Sequence, residues 1–339
     1  MAWSLPIATP PPASFSAKGL PIVIPRLTCL LSSLLTLLPC CAFAQSSVVM
    51  YGYLDLGLVK RSGDSPGIER GYNNWLGFHG KEALGNGLHA TFRLETRFNP
   101  DTGETERPHT FWQGESTVGL HSDRYGTLRL GRALTPLWDM AWQYEPWVNS
   151  GFNASLAAYQ TGSYGSDGIH DAVLGYADAT RISQGVYYSS PAWDGVAVHA
   201  AIRAGKDPDA ISRVRSIAVS HAGEHRSAAL AHEVNARSDD ITYVAAKYRM
   251  QSLTLMGSWT RHRPTDAPRE RTWLVAGTHE FGRHMLRAGY GRNHDNRQHK
   301  LSTGYVHKLS KRTSLYADLY RERQERYRNG VALGMTHSF

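Results

Sequence analysis

From residue 46 onward the chain repeatedly alternates apolar and polar side chains in runs of roughly ten residues, broken by turn-forming residues. The clearest run is Leu88 to Phe98. Leu88, Ala90, Phe92, Leu94, Thr96 and Phe98 share one parity; His89, Thr91, Arg93, Glu95 and Arg97 share the other. A β-strand sends successive side chains to opposite faces, so one face of this run suits hydrocarbon and the other water. The pattern recurs where Trp112, Ser116, Val118 and Leu120 alternate with Gln113, Glu115, Thr117 and His121. It recurs again where Val196, Val198, Ala200 and Ile202 alternate with Ala197, His199, Ala201 and Arg203. At the end of the chain Val331, Leu333, Met335, His337 and Phe339 alternate with Ala332, Gly334, Thr336 and Ser338. In segment 213–222 Arg215, Ile217 and Val219 fall on one parity, a mixed face that the pattern does not assign.

Parsing by turns predicts about sixteen strands, an even number as closed membrane barrels require. They fall near 47–60, 71–82, 87–98, 110–122, 126–132, 180–190, 195–205 and 213–222. The remainder fall near 225–235, 240–250, 252–262, 271–280, 284–294, 298–308, 312–322 and 328–339. Short connections at 83–86, 123–125, 191–194, 223–224, 281–283 and 309–311 alternate with longer ones. Residues 133–179 are the exception, and a structureless connection that long in a compact fold is either functional or a sign that strands within it have gone unparsed. No later run is apolar enough for a membrane helix. The fold class expected is all-β: a transmembrane antiparallel β-barrel with one domain over 45–339. Tyr188, Trp193, Phe281 and Phe339 near strand ends suit interfacial girdles.

Mean hydropathy is −0.39. A barrel whose lumen holds water has such a composition, because every second strand residue is polar. The N-terminus differs. Lys18 and Arg26 precede an apolar run from Leu27 to Leu38, followed by Ala42-Phe43-Ala44. This reads as a secretory signal over residues 1–44, cleaved between Ala44 and Gln45, with 1–25 an upstream extension. The three cysteines, Cys29, Cys40 and Cys41, all lie within it. The mature chain then has no thiol for disulfides, nucleophilic catalysis or metal binding. Of 37 basic residues two fall in the leader, leaving 35 against 29 acidic, or +6. For an exported protein that excess belongs to a pore lining or to a surface facing anionic lipid, not to nucleic acid.

Sixteen histidines invite a metal reading. His279-Glu280 and His284 approach a zinc-protease motif, but with one residue too many and a turn between them. There is no Gly-x-Ser-x-Gly elbow and no phosphate loop. No cofactor, metal or catalytic residue is expected.

Particular stretches resemble the general porins of Gram-negative bacteria, in the branch typical of β-proteobacteria. They are SSVVMYGYLDLG (46–57), LGFHGKEALGNGLHATFRLETRFN (76–99), VGLHSDRYGTLRLGRALTPLWD (118–139) and GVYYSSPAWDG (185–195). The likeness is strong over the first half and diffuse from 205 to 325. It implies a passive channel in the outer membrane for ions and small hydrophilic solutes. It implies a homotrimer, with loop 99–109 latching onto a neighbour. Phe339 matches the terminal signal read by the barrel-assembly machinery, and outer-membrane lipid and lipopolysaccharide are the implied surroundings. The resemblance also implies that residues 133–179 fold inward as a constriction loop, whose acids face arginines on the opposite wall. Arg132 and Arg181 match two of those arginines, while Trp75 stands where a third is usual. Arg93 and Arg97 are candidates to compensate. Asp139, Glu145, Asp171 and Asp178 are the candidate acids. Opposed charges across a narrow aqueous gap orient water and bias ion selectivity.

A substrate-selective channel is the main alternative: Trp138, Trp142, Trp147 and Phe152, with Trp75, offer an aromatic slide. A barrel enzyme is a second alternative, since fold alone does not exclude one.

Overall fold

The computed structural model describes residues 47–107, 109–148, 153–168, 180–205 and 210–339. The expected leader and its cleavage site at Ala44 and Gln45 lie outside them, as do Phe152, Asp171 and Asp178. The wall begins with β1 (Ser47–Arg61), β2 (Gly67–Glu69), β3 (Asn74–Gly85) and β4 (Leu88–Phe98). Next come β5 (Glu115–Ser122), β6 (Gly126–Leu134), β7 (Arg181–Ser189), β8 (Val196–Arg203) and β9 (Arg215–Ala222). Then follow β10 (Arg226–Val234), β11 (Asp240–Met250), β12 (Leu253–Arg263) and β13 (Glu270–Phe281). The last are β14 (His284–Asn293), β15 (His299–Lys308), β16 (Thr313–Arg323) and β17 (Tyr327–Ser338).

Neighbours pair antiparallel, and the sheet closes where β1 pairs β17 from Tyr53↔Ser338 to Arg61↔Gly330. On its other edge β1 pairs β3 through Ser47–Tyr53 and β2 through Gly57–Val59. β2 therefore extends the same edge as β3 without adding a wall position, so seventeen strands make a sixteen-strand wall. Closure leaves no unpaired edge, the condition for a sheet to sit in hydrocarbon. The terminal Phe339 completes it: its N–H and C=O exchange 3.1 Å bonds with Gly52, and its ring fills the space a Cβ on Gly52 would need.

Alternation becomes two faces. On β17 Leu333 is 56% exposed while Ala332 is 2% exposed. Val118, Leu230, Val244 and Leu319 are likewise exposed, an apolar belt of the kind that faces hydrocarbon in a membrane barrel. Segment 215–222, unassigned from pattern, turns Ile217 and Val219 outward and buries Ser216 and Ala218. Tyr188, Trp193, Phe281 and Phe339 are all exposed at strand ends.

Two expected starts move inward along the chain. β3 begins at Asn74, not 71, because Asn74 Oδ1 accepts the Asp55 N–H and Asp55 Oδ1 accepts the Gly71 N–H, replacing ladder bonds. β5 begins at Glu115, not 110, because the carbonyls of Gln113 and Gly114 are taken by Arg132 and Arg181.

The connection between β6 and β7 holds α1 (Pro136–Ala141), a 3-10 turn (Trp142–Tyr144) and α2 (Ala158–Thr161). Leu137, Trp138, Met140 and Tyr144 pack on Ala218, Ala229, Ala231, Tyr243 and Ala245. Those wall residues have the parity opposite to exposed Ile217, Leu230 and Val244. The described part of the long connection thus lies on the inner face.

Candidate functional site

The inward parity of β3 to β6 carries a ladder of charges. Register sets Trp75 opposite Arg97, His79 opposite Arg93 and Glu95 opposite Glu115. Two carboxylates directly opposed across strands repel. Arg93 relieves them, with Nη2 3.3 Å from Glu95 and Nε 3.5 Å from Glu115, while donating to the Tyr51 hydroxyl at 2.7 Å. Arg97 reaches Glu95 at 3.4 Å and Arg129 reaches Glu115 at 2.7 Å. The chain of contacts runs Arg97, Glu95, Arg93, Glu115, Arg129. Each arginine also lies over a ring: Arg93 over Tyr51 (5.2 Å), Arg97 over Trp75 (5.9 Å) and Arg129 over Tyr187 (5.5 Å). Planar guanidinium groups stacked this way are held in position without losing their charge.

Trp75 is part of a three-ring group. It stacks on Tyr53 at 4.8 Å and meets Tyr72 edge-on at 5.5 Å. Burial pushes the Tyr72 hydroxyl up to about 12. With Tyr53 on one side and the Arg97 guanidinium within reach, the indole is a platform for the arginine.

The other expected residues are placed unequally. Arg181 is buried, its Nε donating to the Gly114 carbonyl and its Nη1 to Thr180 Oγ1. Arg132 is half-buried and donates to the Gln113 carbonyl (3.1 Å) and Ser183 Oγ (3.0 Å). By count it has the parity of outward Leu128 and Leu130, but the register shifts between Gly131 and Ala133. Both arginines clamp the backbone before β5. Glu145 is 2% exposed, and its two oxygens accept the amides of Trp147 (2.8 Å) and Leu156 (2.6 Å). It organises the loop from within and does not present its carboxylate to open solvent. Asp139 sits half-buried on α1.

The wall beneath the loop binds it through the loop's backbone. Lys247 donates to the Gln143 carbonyl (3.0 Å), Lys300 to that of Asn153 (2.7 Å) and Arg287 to that of Pro146 (3.3 Å). Glu270 accepts the Ser163 amide (2.9 Å), and Glu233 accepts the hydroxyls of Tyr164 and Ser166. Arg287 is fixed in turn by Asp318 at 2.8 Å and lies 5.0 Å from the Trp147 ring centre. Trp138 and Trp147 are 2% and 4% exposed, so these two are loop packing and offer a solute no face. His279 and His284 have the outward parity, whereas Glu280 pairs with Lys308 (3.0 Å).

Glu115, Arg129, Arg287 and Asp318 were not singled out from sequence. Parity would have found them: each shares the inward set of its strand.

A family model described as Gram-negative porin matches residues 31–327. An outer membrane porin protein of Bordetella pertussis is 33% identical over 113 residues, 27% of this chain and 29% of that protein. Outer membrane porin protein 32 of Delftia acidovorans is 26% identical over 322 residues, 82% of this chain and 84% of the relative. The solved anion-selective porin from Comamonas acidovorans superposes with a TM-score of 0.74 at 22% identity, covering 87% of this chain and 100% of its own.

Proposed function

Since the chain belongs to the Gram-negative porin family and is a passive channel of the outer membrane, we propose that the loop over 133–179 narrows its lumen and that the charged wall of β3 to β6 sets an anion preference. One observation carries this reading. Among the described residues the loop packs on the inner face from β9 to β14, while the charges of β3 to β6 are held mainly by one another, with the Arg93 and Arg129 side chains partly exposed and Glu95, Arg97 and Glu115 buried. On the wall of β3 to β6 Lys81, Arg93, Arg97 and Arg129 stand against Glu95 and Glu115, four positive against two negative, or +2. Low-dielectric walls focus such a field into the lumen. The Comamonas structure bears the description anion-selective, and the same sign is expected here. Arg132 and Arg181 add to the potential from behind the clamp they make. Asp139 faces it from the loop.

Planar-bilayer reversal potentials in a salt gradient test the reading. An anion-signed potential is expected; a cation-signed or zero potential would overturn it. Purified protein is expected to leave ester and peptide substrates intact. The functional unit is read as a homotrimer, so single-channel records should close in three steps. The exposed tip 101–104 of loop 99–109 remains the candidate latch. Gln45 is expected as the first mature residue and Phe339 as the insertion signal, checked by N-terminal sequencing and by deletion of Phe339.

A further inference from the structure

His279, Glu280 and His284 are close in sequence, but the strands separate them. Glu280 bonds to Lys308, and His279 pairs with Leu286. His284 instead meets His307, directly opposite on β15. The neighbouring pair carries the ladder bond, from the Lys308 N–H to the Arg283 carbonyl at 2.8 Å. His284 and His307 are therefore a non-hydrogen-bonded pair, where facing side chains come closest. Their Nδ1 atoms lie 3.3 Å apart, and the Tyr305 hydroxyl lies 2.6 Å from His284 Nδ1. Exposed Leu286 and Leu301 share the parity of these three residues, so the cluster is on the outward face, beside the turn after Phe281.

Protons satisfy this arrangement poorly. A neutral ring nitrogen carries either one hydrogen or one in-plane lone pair, and His284 Nδ1 meets two partners with it. If it accepts from Tyr305, His307 must share that lone pair or set its own against it. A cation between the two nitrogens removes the conflict. Zinc binds imidazole nitrogen at about 2.0–2.1 Å, and two such bonds at the tetrahedral angle hold their nitrogens roughly 3.3–3.4 Å apart. The His284 ring is already held in place, stacked with Phe281 at 5.3 Å and with Tyr305 at 5.8 Å, so little side-chain freedom is left to lose.

Charge does not draw an ion here. Among the described residues no three His, Cys, Asp or Glu side chains gather for a metal, and Arg283, Lys311 and Arg312 are exposed in the adjoining turns. Binding depends instead on ligand type. Imidazole suits zinc, nickel and copper, whereas magnesium and calcium need carboxylate, carbonyl and water oxygens.

We propose that His284 and His307 chelate a divalent transition-metal ion through their Nδ1 atoms, with the Tyr305 oxygen as a third, weaker donor and water completing the set. The ion staples β14 to β15 at the end of the wall that the short turns place on the periplasmic side. The pairing is made by strand register, so the spacing of histidines along the chain does not reveal it.

The test uses the outer-membrane protein purified in detergent without a histidine tag, stripped of metal by a chelator and titrated calorimetrically with zinc chloride. Wild type is expected to take up one zinc ion per barrel in a tight first phase. His284→Gln and His307→Gln each break the chelate, and the affinity of that phase should fall by on the order of a hundredfold. Tyr305→Phe should lower it less, and His279→Gln should leave it alone. Copper(II) as a second probe reads the ligands directly: its paramagnetic resonance spectrum should show coupling to two nitrogens in wild type and to one in either histidine variant. Single-channel conductance should be normal in all four variants, which shows that each is folded and keeps this site separate from the channel reading. The proposal is overturned if wild type shows no tight phase, if that phase survives both histidine substitutions, or if wild-type copper couples to a single nitrogen. The cluster would then be interfacial packing alone.

Discussion

From β3 to β6 the inward parity carries Arg97, Glu95, Arg93, Glu115 and Arg129; from β9 to β14 it carries residues such as Ala218, Ala229, Ala231, Leu274, Gly289 and Gly291. The first wall keeps long charged side chains in mutual contact and over aromatic rings, with those of Arg93 and Arg129 partly exposed. The second faces protein: small residues let the loop approach closely, and the long side chains between them, Lys247, Arg287, Glu233 and Glu270, are bonded to it. A Cβ on Gly291 would come within 2.5 Å of Tyr159 Cβ, and one on Gly289 within 2.6 Å of Leu156. The same inward parity is therefore filled differently where the loop packs on it. Strand alternation decides which face is inward. It does not decide what that face meets.

The largest effect that would break this contrast is loss of the loop's internal carboxylate. Glu145→Gln leaves an amide nitrogen facing one of two backbone N–H donors. An unsatisfied buried group of this kind costs about 2 kcal/mol, local to the loop. Conductance should rise or become noisy, and protease should cut within 133–179, while the barrel's heat resistance changes little. An unchanged current with an intact loop would mean that other bonds, such as Lys300 to Asn153, suffice. Gly291→Leu attacks the same packing from the wall. Overpacking of this kind costs about 1–3 kcal/mol, and the expected result is again a looser loop with normal trimer yield.

The charged wall should respond in selectivity and not in loop integrity. Arg93→Gln with Arg129→Gln removes two positive charges beside Glu115. Reversal potentials should then shift towards cations, and more than in Arg132→Gln, whose guanidinium is engaged with the Gln113 carbonyl. The shift should shrink between about 0.1 M and about 1 M salt, as the screening length falls from about 10 to about 3 Å. A larger effect from Arg132 would place the narrowest point at the β6 bulge and not at the ladder.

Much of this architecture is legible in the sequence. The strand expected over 240–250 is β11 to the residue, because alternation runs unbroken between two turns. β2 was not anticipated, since three residues are too few to show a period; pairing with Gly57–Val59 creates it. The inner face of the loop-covered wall was hardest to read. Ala229 and Ala231 carry no signal of what will cover them, and Glu145 looks like any loop acid until Leu156, eleven residues on, returns to its carboxylate. Arg129 was missed for a different reason: its partner Glu115 lies across a strand pair, and register, not spacing, brings them to 2.7 Å.

Trp75 sharpens the contrast with the smallest expected change. It stands where the family resemblance calls for arginine, yet its indole stacks on Tyr53 and supports Arg97 at 5.9 Å. Trp75→Arg would add one charge to the charged wall and remove the platform beneath another. The added charge strengthens anion preference, whereas a released Arg97 can turn further onto Glu95, to which it is bound at 3.4 Å. These effects oppose each other, so the net shift in reversal potential should be towards anions but smaller than the shift from losing Arg93 and Arg129. Trp75→Phe separates the contributions: it keeps a ring, adds no charge and should leave the potential where it was. If Trp75→Phe alone moves selectivity towards cations, the indole's support of Arg97 matters more than the missing arginine. The departure at position 75 would then be a second way of holding one positive charge in the same place.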